Sequence, residues 1–250
     1  MHVEGKALAG HLFFAEQING RHGRLEPEEA HHCLRVLRYR CGDVVRITDG
    51  KGKLYAAQID RDEVQDCQLT IHSLIREEAR PLPRIHLAVA PTKNADRFEF
   101  LLEKATEAGV AAFTPLLCQR SERKKVALER MQSILKAAVK QSGRLWLPAL
   151  YPLTPIVSFL NTLADEDGAR FIAHCHQGNL PHLFALYRGE AACTVLIGPE
   201  GDFSAEEVQA AAASGFSGVS LGPYRLRTET AGLVASLAVS LKYALVQGTY

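Results

Sequence analysis

Residues 194–208, TVLIGPEGDFSAEEV, constrain the fold most, because this short stretch fixes a strand, a turn and the start of a helix. The apolar run TVLI is typical of a buried strand. Ser204 and Glu207 have the spacing of a capping box, and Phe203 and Val208 flank it as the two residues of a hydrophobic staple. We therefore predict a helix that begins at Ser204. The loop GPEGDF before it then lies at the carboxyl edge of the sheet, where ligands bind in open α/β folds.

The composition of this loop limits its ligand. It matches neither the G-x-x-x-x-G-K-[ST] nor the G-x-G-x-x-G phosphate-binding pattern. Glu200 and Asp202 would also repel a phosphate group at the helix N-terminus. A neutral or cationic ligand suits the loop better, although an ordinary tight turn, with acidic charges that favour the helix dipole, would have the same sequence.

A second loop has the same pattern. In residues 220–237, SLGPYRLRTETAGLVASL, a strand again ends in Gly-Pro and a helix follows, with Thr228 or Thr230 as the expected N-cap. The carboxyl ends of neighbouring parallel strands meet at one edge of a sheet. The two loops are therefore expected to form a pocket lined by backbone groups, which suits a flat ring such as adenine.

The chain changes character near residue 80. Segments 43–50 and 53–60 are β-rich around the turn DGKG and predict a hairpin, so we interpret residues 1–76 as a small β-barrel. A charged, proline-rich linker follows at 77–83. Residues 83–250 then alternate short apolar strands with helical patterns, which predicts an α/β domain with a parallel sheet.

Composition excludes several classes of protein. The six cysteines are scattered without a CxxC pair, so neither a zinc site nor a disulfide framework is expected, and a reducing cytoplasm fits the chain better. His174 and His176 share one side of a strand end, but no third ligand has matching spacing, so no metal is expected. The N-terminus lacks a signal-peptide pattern. The apolar tract 231–246 is shorter than a membrane helix, and we interpret it as a buried helix at a core or subunit interface.

Several blocks in order resemble one known family, the RsmE type of SPOUT methyltransferases. The two Gly-Pro blocks, LIGPEGDFSAEEV and LGPYRLRTETAGL, resemble its signature pair, and AHHCLRVLRYRCGD, RFEFLLEKATEAGV and KQSGR resemble further blocks. The resemblance implies a PUA-like, RNA-binding N-terminal barrel and a C-terminal SPOUT domain with a deep trefoil knot. It implies a homodimer formed through the C-terminal domain. It also implies S-adenosyl-L-methionine as cofactor and N3 of one uridine in 16S ribosomal RNA, as naked RNA or in the assembled small subunit, as the methylation site.

The resemblance also assigns site residues. The cofactor contacts that it implies fall on two groups of residues: Ile197, Gly198, Glu200 and Gly201, then Leu221, Gly222, Leu226 and Thr228. Methylation at N3 requires loss of a proton, so a base or a cation that stabilises the uridine anion is needed. Arg227 is the candidate for that cation, and Glu229 or Glu200 is the candidate for the proton acceptor or for the group that positions Arg227; both acids could instead serve only to cap helices.

A basic segment independently favours an RNA substrate. Residues 118–146 contain eight Lys or Arg and two acids, a local net charge of +6 in a chain of net charge +1. Clustered like charges destabilise a helix slightly, whereas a phosphate backbone would turn them into binding energy. A solvated basic face is the alternative. The RNA-binding candidates are Arg35, Arg38, Arg120, Lys136, Lys140, Arg144 and Arg225.

Three positions depart from the family pattern, and the first is Leu12, which replaces an arginine near the N-terminus, before the aromatic pair. Asp202 stands where the family has a second glycine, and Tyr224 stands where it has an arginine, which leaves open whether Arg225 replaces that arginine. Three other functions remain open: a SPOUT enzyme of 2′-O-ribose or guanosine-N1 specificity, a non-catalytic RNA-binding protein, and a nucleotide-dependent dehydrogenase. The absence of G-x-G-x-x-G counts against the last.

Overall fold

The computed structural model describes residues 11–162, 168–176 and 178–248, and the chain folds into two compact units. The first comprises residues 1–80 with 139–147, and the second comprises residues 81–138 with 148–250. The sequence predicts a single division of the chain, at the linker 77–83, whereas in the structure residues 139–147 also belong to the first unit. This segment joins the first unit because Leu147 N donates to Gly50 O at 2.9 Å and Trp146 Nε1 donates to Glu78 O at 3.1 Å.

The first unit contains the small barrel that the sequence predicts. Its strands are β1 Leu12–Asn19, β2 His22–Leu25, β3 Val44–Thr48, β4 Lys53–Glu63 and β5 Asp66–Glu77. They close in the order β1-β2-β5-β4-β3, with β1 parallel to β3 and the other neighbours antiparallel. Alternate residues such as Phe13, Ile47 and Leu69 point inward and are fully buried. Between β2 and β3 lies α1, Pro27–His31, followed by a π-helical turn, His32–Val36.

The second unit is built on a parallel sheet, as predicted. Its strands are β6 Arg84–Val89, β7 Ala112–Leu117, β8 Ala149–Leu150, β9 Thr154–Pro155, β10 Ala169–Ala173, β11 Ala192–Ile197 and β12 Ser217–Val219. They lie in the order β12-β10-β11-β6-β7-β8, with β9 paired to β7. All of these pairings are parallel. The ends of β10, β11 and β12 therefore lie side by side at one edge. The trefoil knot that the resemblance implies stays a prediction.

Helices connect these strands. They are α2 Ala95–Glu107, α3 Leu128–Ser142, α4 Ile156–Thr162, α5 Leu183–Leu186, α6 Ala205–Ala213 and α7 Thr228–Gln247. The amphipathic pattern of α2 is confirmed, since Phe98, Leu101, Leu102 and Ala105 are all buried. These buried faces hold the helices against the sheet and fix the loops at its edge.

The expectation that the apolar tract 231–246 is shorter than a membrane helix is wrong, because it lies in helix α7, which has 20 residues and is long and apolar enough, by length and composition, to cross a membrane. One side of this helix packs within the second unit, where Ala235 and Val239 are fully buried. Gly232 lies so close to Leu101 and Leu87 that an added Cβ would come within 2.9 Å of Leu101. This close packing holds one side of α7 against α2 and β6, while Leu237, Leu241 and Leu245 of the same helix are exposed.

Candidate functional site

The loop between β11 and α6, residues 198–203, is fixed at its C-terminal end by the predicted capping box. Ser204 Oγ accepts from Glu207 N at 3.2 Å, and Glu207 Oε2 accepts from Ser204 N at 2.8 Å. The second oxygen of the same carboxylate accepts from Gln119 N at 2.7 Å. Phe203 is fully buried beside this box. The helix start is thus confirmed, and Glu207 also ties it to the loop that follows β7.

Two arginines from neighbouring loops hold the carbonyl groups of the same loop. Arg120 Nη1 donates to Gly201 O at 2.9 Å and to Phe203 O at 3.3 Å. From the other side, Arg225 Nη2 donates to Glu200 O at 3.1 Å. These charge-assisted hydrogen bonds are stronger than neutral ones. Both arginines are candidates for RNA contact, and in the structure each also holds the loop.

Asp202 occupies a backbone conformation that explains the glycine of the family pattern. Its φ is +65°, in the left-handed region that favours glycine and tolerates aspartate. The side chain compensates, because Oδ1 accepts from Phe203 N at 2.8 Å and Oδ2 accepts from Cys175 N at 2.9 Å. Aspartate at this position therefore links the loop to the end of β10, which glycine could not do.

The loop between β12 and α7, residues 220–227, is anchored mainly at its ends. Ser220 Oγ accepts from Gly222 N at 3.2 Å and donates to Gly222 O at 3.0 Å. At the other end, Thr228 Oγ1 donates to Gly198 O at 3.1 Å, which joins the two Gly-Pro loops. The N-cap of α7 is Arg227, with no side-chain cap bond, so the expected N-cap at Thr228 or Thr230 is wrong. The Thr228 hydroxyl bonds the neighbouring loop instead of its own helix.

A cavity of about 380 Å³ lies between these loops. This volume falls within the range of about 300–1,000 Å³ that is typical of small-molecule sites. Seven predicted cofactor contacts line it: Ile197, Gly198, Glu200, Leu221, Gly222, Leu226 and Thr228. The eighth, Gly201, is not among the lining residues and packs against Arg120. The structure therefore contains the cavity between the two loops that the sequence predicts.

A third wall of the cavity was missed by the sequence reasoning. Ala173, His174 and Cys175, at the end of β10, line it with the two loops. The position of β10 in the parallel sheet could have indicated this wall, because the end of β10 lies at the same edge as the ends of β11 and β12. His174 is buried, and burial lowers the pKa of its imidazole. His176 contacts Phe203 O through Nε2 at 2.5 Å, so the two histidines serve as structural links.

The structure separates the three catalytic candidates. Arg227 lines the cavity, its side chain is exposed, and no described residue forms a side-chain hydrogen bond or ion pair with its guanidinium. Glu200 also lines the cavity, and its Oε1 accepts from Lys93 N at 2.9 Å. Glu229 is not among the lining residues. It is buried in the first turn of α7 and lies 3.8 Å from Arg97 Nε.

The basic candidates also differ in their surroundings. Arg35 and Arg38 are exposed on the first unit, and Arg38 follows the π-helical turn with φ +61°. Lys140 Nζ instead lies 2.6 Å from the buried carboxylate of Glu29. Arg144 is half-buried, and burial lowers the pKa of its guanidinium. Lys136 is half-buried as well. Part of the basic segment therefore has intramolecular structural roles.

Known proteins share this architecture. A family model described as an RNA methyltransferase domain matches residues 78–240, and one described as an RNA methyltransferase PUA domain matches residues 25–65. Ribosomal RNA small subunit methyltransferase E from Synechocystis sp. is 32% identical over 88% of this chain and 73% of its own length.

Solved structures agree with the family models. A probable rRNA-methyltransferase from Porphyromonas gingivalis superposes with a TM-score of 0.81 at 36% identity, covering 94% of this chain and 99% of its own. Ribosomal RNA small subunit methyltransferase E from Neisseria gonorrhoeae, bound to S-adenosyl methionine, gives 0.76 at 28% identity, covering 93% and 97%. The chain belongs to the RNA methyltransferase family whose members include ribosomal RNA small subunit methyltransferase E.

Proposed function

We propose that this protein uses S-adenosylmethionine to methylate N3 of one uridine in the 16S ribosomal RNA of the small subunit. The observation that carries the proposal is the cavity between the two Gly-Pro loops, with Arg227 as a cation without a described partner in its lining. Family membership supports the same activity, since the Synechocystis relative is named for small-subunit ribosomal RNA and the N. gonorrhoeae relative binds S-adenosyl methionine.

The lining suits this cofactor. Apolar side chains of Ile197, Leu221 and Leu226 provide walls for a flat adenine ring, and backbone groups of the glycine-rich turns provide polar contacts. Gly222 has φ +141°, a backbone conformation that residues with a side chain rarely adopt, so glycine allows the turn at this side of the cavity. The acidic character of the loop favours a cationic ligand over a phosphate. When bound, the cofactor supplies an electrophilic methyl group on its sulfonium.

The residues of the chain then have distinct roles toward the uridine. The Arg227 guanidinium is placed to donate to a uridine carbonyl oxygen and to stabilise the negative charge that develops as N3 loses its proton. Among the described residues, Glu200 and Asp202 are the two carboxylates that line the cavity, and both oxygens of Asp202 already accept backbone hydrogen bonds. Glu200 Oε2 is therefore the candidate proton acceptor, since in the part of the chain that the structure describes only Glu200 Oε1 is held, by Lys93 N. Buried Glu229, next to Arg97, fits a role in orienting the start of α7.

We extend the proposal to assembly and RNA contacts. Helix α7 exposes Leu237, Leu241 and Leu245 at four-residue spacing, a stripe that a second copy of the chain would cover in a homodimer. Exposed Arg35 and Arg38 on the first unit would contact RNA phosphates. The first unit would thus act as the RNA-binding domain and the second as the knotted catalytic and dimerisation domain, in the cytoplasm.

Mass spectrometry of nucleosides from 16S ribosomal RNA tests this function. RNA from cells that lack the protein should lose 3-methyluridine, and a plasmid with the wild-type chain should restore it. Loss of a 2′-O-methyl nucleoside or of 1-methylguanosine instead would establish another specificity. If the methylated nucleosides of the RNA are unchanged and titration with S-adenosylmethionine gives no heat of binding, a non-catalytic RNA-binding protein becomes the remaining interpretation.

A further inference from the structure

The second Gly-Pro loop presents one aromatic side chain to solvent. Tyr224 is 83% exposed, whereas the next most exposed of the large hydrophobic side chains in the described residues, Val157 and Leu245, are each 59% exposed. Tyr224 also belongs to the lining of the cavity, together with Arg225 and Arg227. Its ring therefore stands at the rim of the proposed methylation site.

The backbone around this ring is held in place. Ser220 fixes Gly222 at one end of the loop, and Thr228 bonds Gly198 at the other. The neighbouring Arg225 side chain is held by Glu200 O. An aromatic ring on a fixed loop loses little conformational entropy on binding, because only its two side-chain torsions are free. Tyr224 is thus preorganised for a flat ligand, although it packs against little of its own chain.

The aromatic ring and the positive charge at this rim suit an unpaired nucleobase. Every nucleobase has an apolar π-face, and stacking of one base on an aromatic side chain contributes about 1–3 kcal/mol. Specific recognition of RNA uses unpaired bases that stack on aromatic rings, beside cations that contact phosphate. Exposed Arg227, two positions along the chain from Arg225, provides positive charge at the same rim.

We propose that Tyr224 is a stacking platform for an unpaired base of the RNA substrate at the mouth of the cavity. The inference rests on the proposed function, because it takes the cavity as the site of methylation. Tyr224 is then a positioning residue that acts on RNA and not on the cofactor.

Four substitutions separate a stacking role from other roles. Tyr224→Phe keeps the planar ring and should keep wild-type methylation of small ribosomal subunits. Tyr224→Ala and Tyr224→Leu should lower kcat/KM for RNA about 5- to 150-fold, the factor that corresponds to the free energy of one stack. The matched control is Tyr151→Ala, since Tyr151 is a 48% exposed tyrosine of the same unit outside the cavity lining, and it should leave kcat/KM unchanged.

Three further measurements make the result decisive. Thermal unfolding and the oligomeric state should be the same for wild type and Tyr224→Ala, because the exposed ring makes few contacts. Titration with S-adenosylmethionine should also give the same affinity, since none of the cofactor contacts that the resemblance implies falls on Tyr224, and a loss of cofactor affinity would overturn the platform. Wild-type kcat/KM in Tyr224→Ala or Tyr224→Leu overturns the platform, as does a loss in Tyr224→Phe. A changed oligomer would assign the ring to a protein contact and would also overturn it. If wild-type protein itself fails to methylate the subunit, the proposed function has failed, and that failure is seen before any Tyr224 variant is compared.

Discussion

The two Gly-Pro loops share a sequence pattern and differ in what holds them. In residues 198–203, carbonyl groups are bound by Arg120 and Arg225, the Glu200 carboxylate is bound by Lys93 N, and Phe203 is fully buried. Residues 220–227 are anchored through Ser220 and Thr228, next to the loop's two ends, and share the Arg225 hydrogen bond with the first loop. They present the exposed side chains of Tyr224 and Arg227. The first loop is a fixed wall, and the second presents groups to a substrate.

This difference predicts two kinds of mutational effect. Substitutions around the first loop should lower the free energy of unfolding, because they leave backbone N–H or carbonyl groups without their hydrogen-bond partners. Substitutions of exposed side chains in the second loop should lower activity and leave stability unchanged. The two loops would not differ in this way if a first-loop variant kept its stability or if a second-loop variant of an exposed side chain lost it.

Arg227→Ala should have the largest effect. It removes the one proposed cation that stabilises the uridine anion, and loss of such a group typically lowers kcat about 10²–10³-fold. The thermal midpoint and the affinity for S-adenosylmethionine should stay at wild-type values, as measured by calorimetry. Arg227→Lys is the conservative control and should recover part of the activity. Full activity in Arg227→Ala would exclude this residue from the mechanism.

Glu207→Ala should cause the largest loss of stability. The carboxylate is buried and accepts from both Ser204 N and Gln119 N, so its removal leaves two donors unsatisfied at a cost of about 2–4 kcal/mol. Urea unfolding followed by circular dichroism measures the change. Glu206 is an exposed glutamate on the same turn and provides the matched control. Glu206→Ala should lower the free energy of unfolding much less than Glu207→Ala. Equal losses in the two variants would show that the box does not hold the loop.

Substitutions of Asp202 separate backbone strain from hydrogen bonding. Asp202→Ala loses both side-chain hydrogen bonds and keeps a side chain at φ +65°, whereas Asp202→Gly loses the same bonds and relieves the backbone. Asp202→Ala should therefore be less stable than Asp202→Gly by about 1 kcal/mol. Urea midpoints with a common slope give the comparison. An alanine variant as stable as the glycine variant would show that the left-handed conformation is not retained in solution.

Arg225→Ala should have the smallest effect, and it tests whether Arg225 contacts RNA. If the guanidinium mainly holds Glu200 O, the substitution weakens cofactor binding a few-fold and leaves the salt dependence of RNA binding unchanged. A phosphate contact would instead lower the slope of log affinity against log salt by about 1. RNA-binding titrations over a series of salt concentrations distinguish the two cases. The geometry predicts the unchanged slope.

Local sequence signals predicted much of the fold. The hairpin around DGKG, the capping box of Ser204 and Glu207 and the buried face of α2 depend on neighbouring residues, and the structure confirms them. The prediction of Thr228 or Thr230 as the N-cap of α7 was wrong. The Thr228 hydroxyl donates to Gly198 O, which belongs to another loop. Sequence spacing alone cannot reveal such a contact.

The site was predictable in part for the same reason. Two loops at neighbouring strand ends follow from the strand pattern, and seven of the implied contacts line the cavity. The third wall at residues 173–175 depends on β10 lying between β11 and β12 in the sheet, an order that no local pattern encodes. Likewise, the pairing of Lys140 with Glu29 joins positions far apart in the chain, so a basic segment alone could not distinguish a structural lysine from an RNA contact.

Methyl transfer by purified protein is the most direct test of uridine-N3 methylation that depends on Arg227. Wild-type and Arg227→Ala protein are incubated with small ribosomal subunits from cells that lack the protein, together with S-adenosylmethionine labelled in its methyl group. The RNA is then digested to nucleosides for mass spectrometry. Label in 3-methyluridine is expected with wild type and should be lost with Arg227→Ala. Label in another nucleoside, or equal label with both proteins, would contradict this prediction.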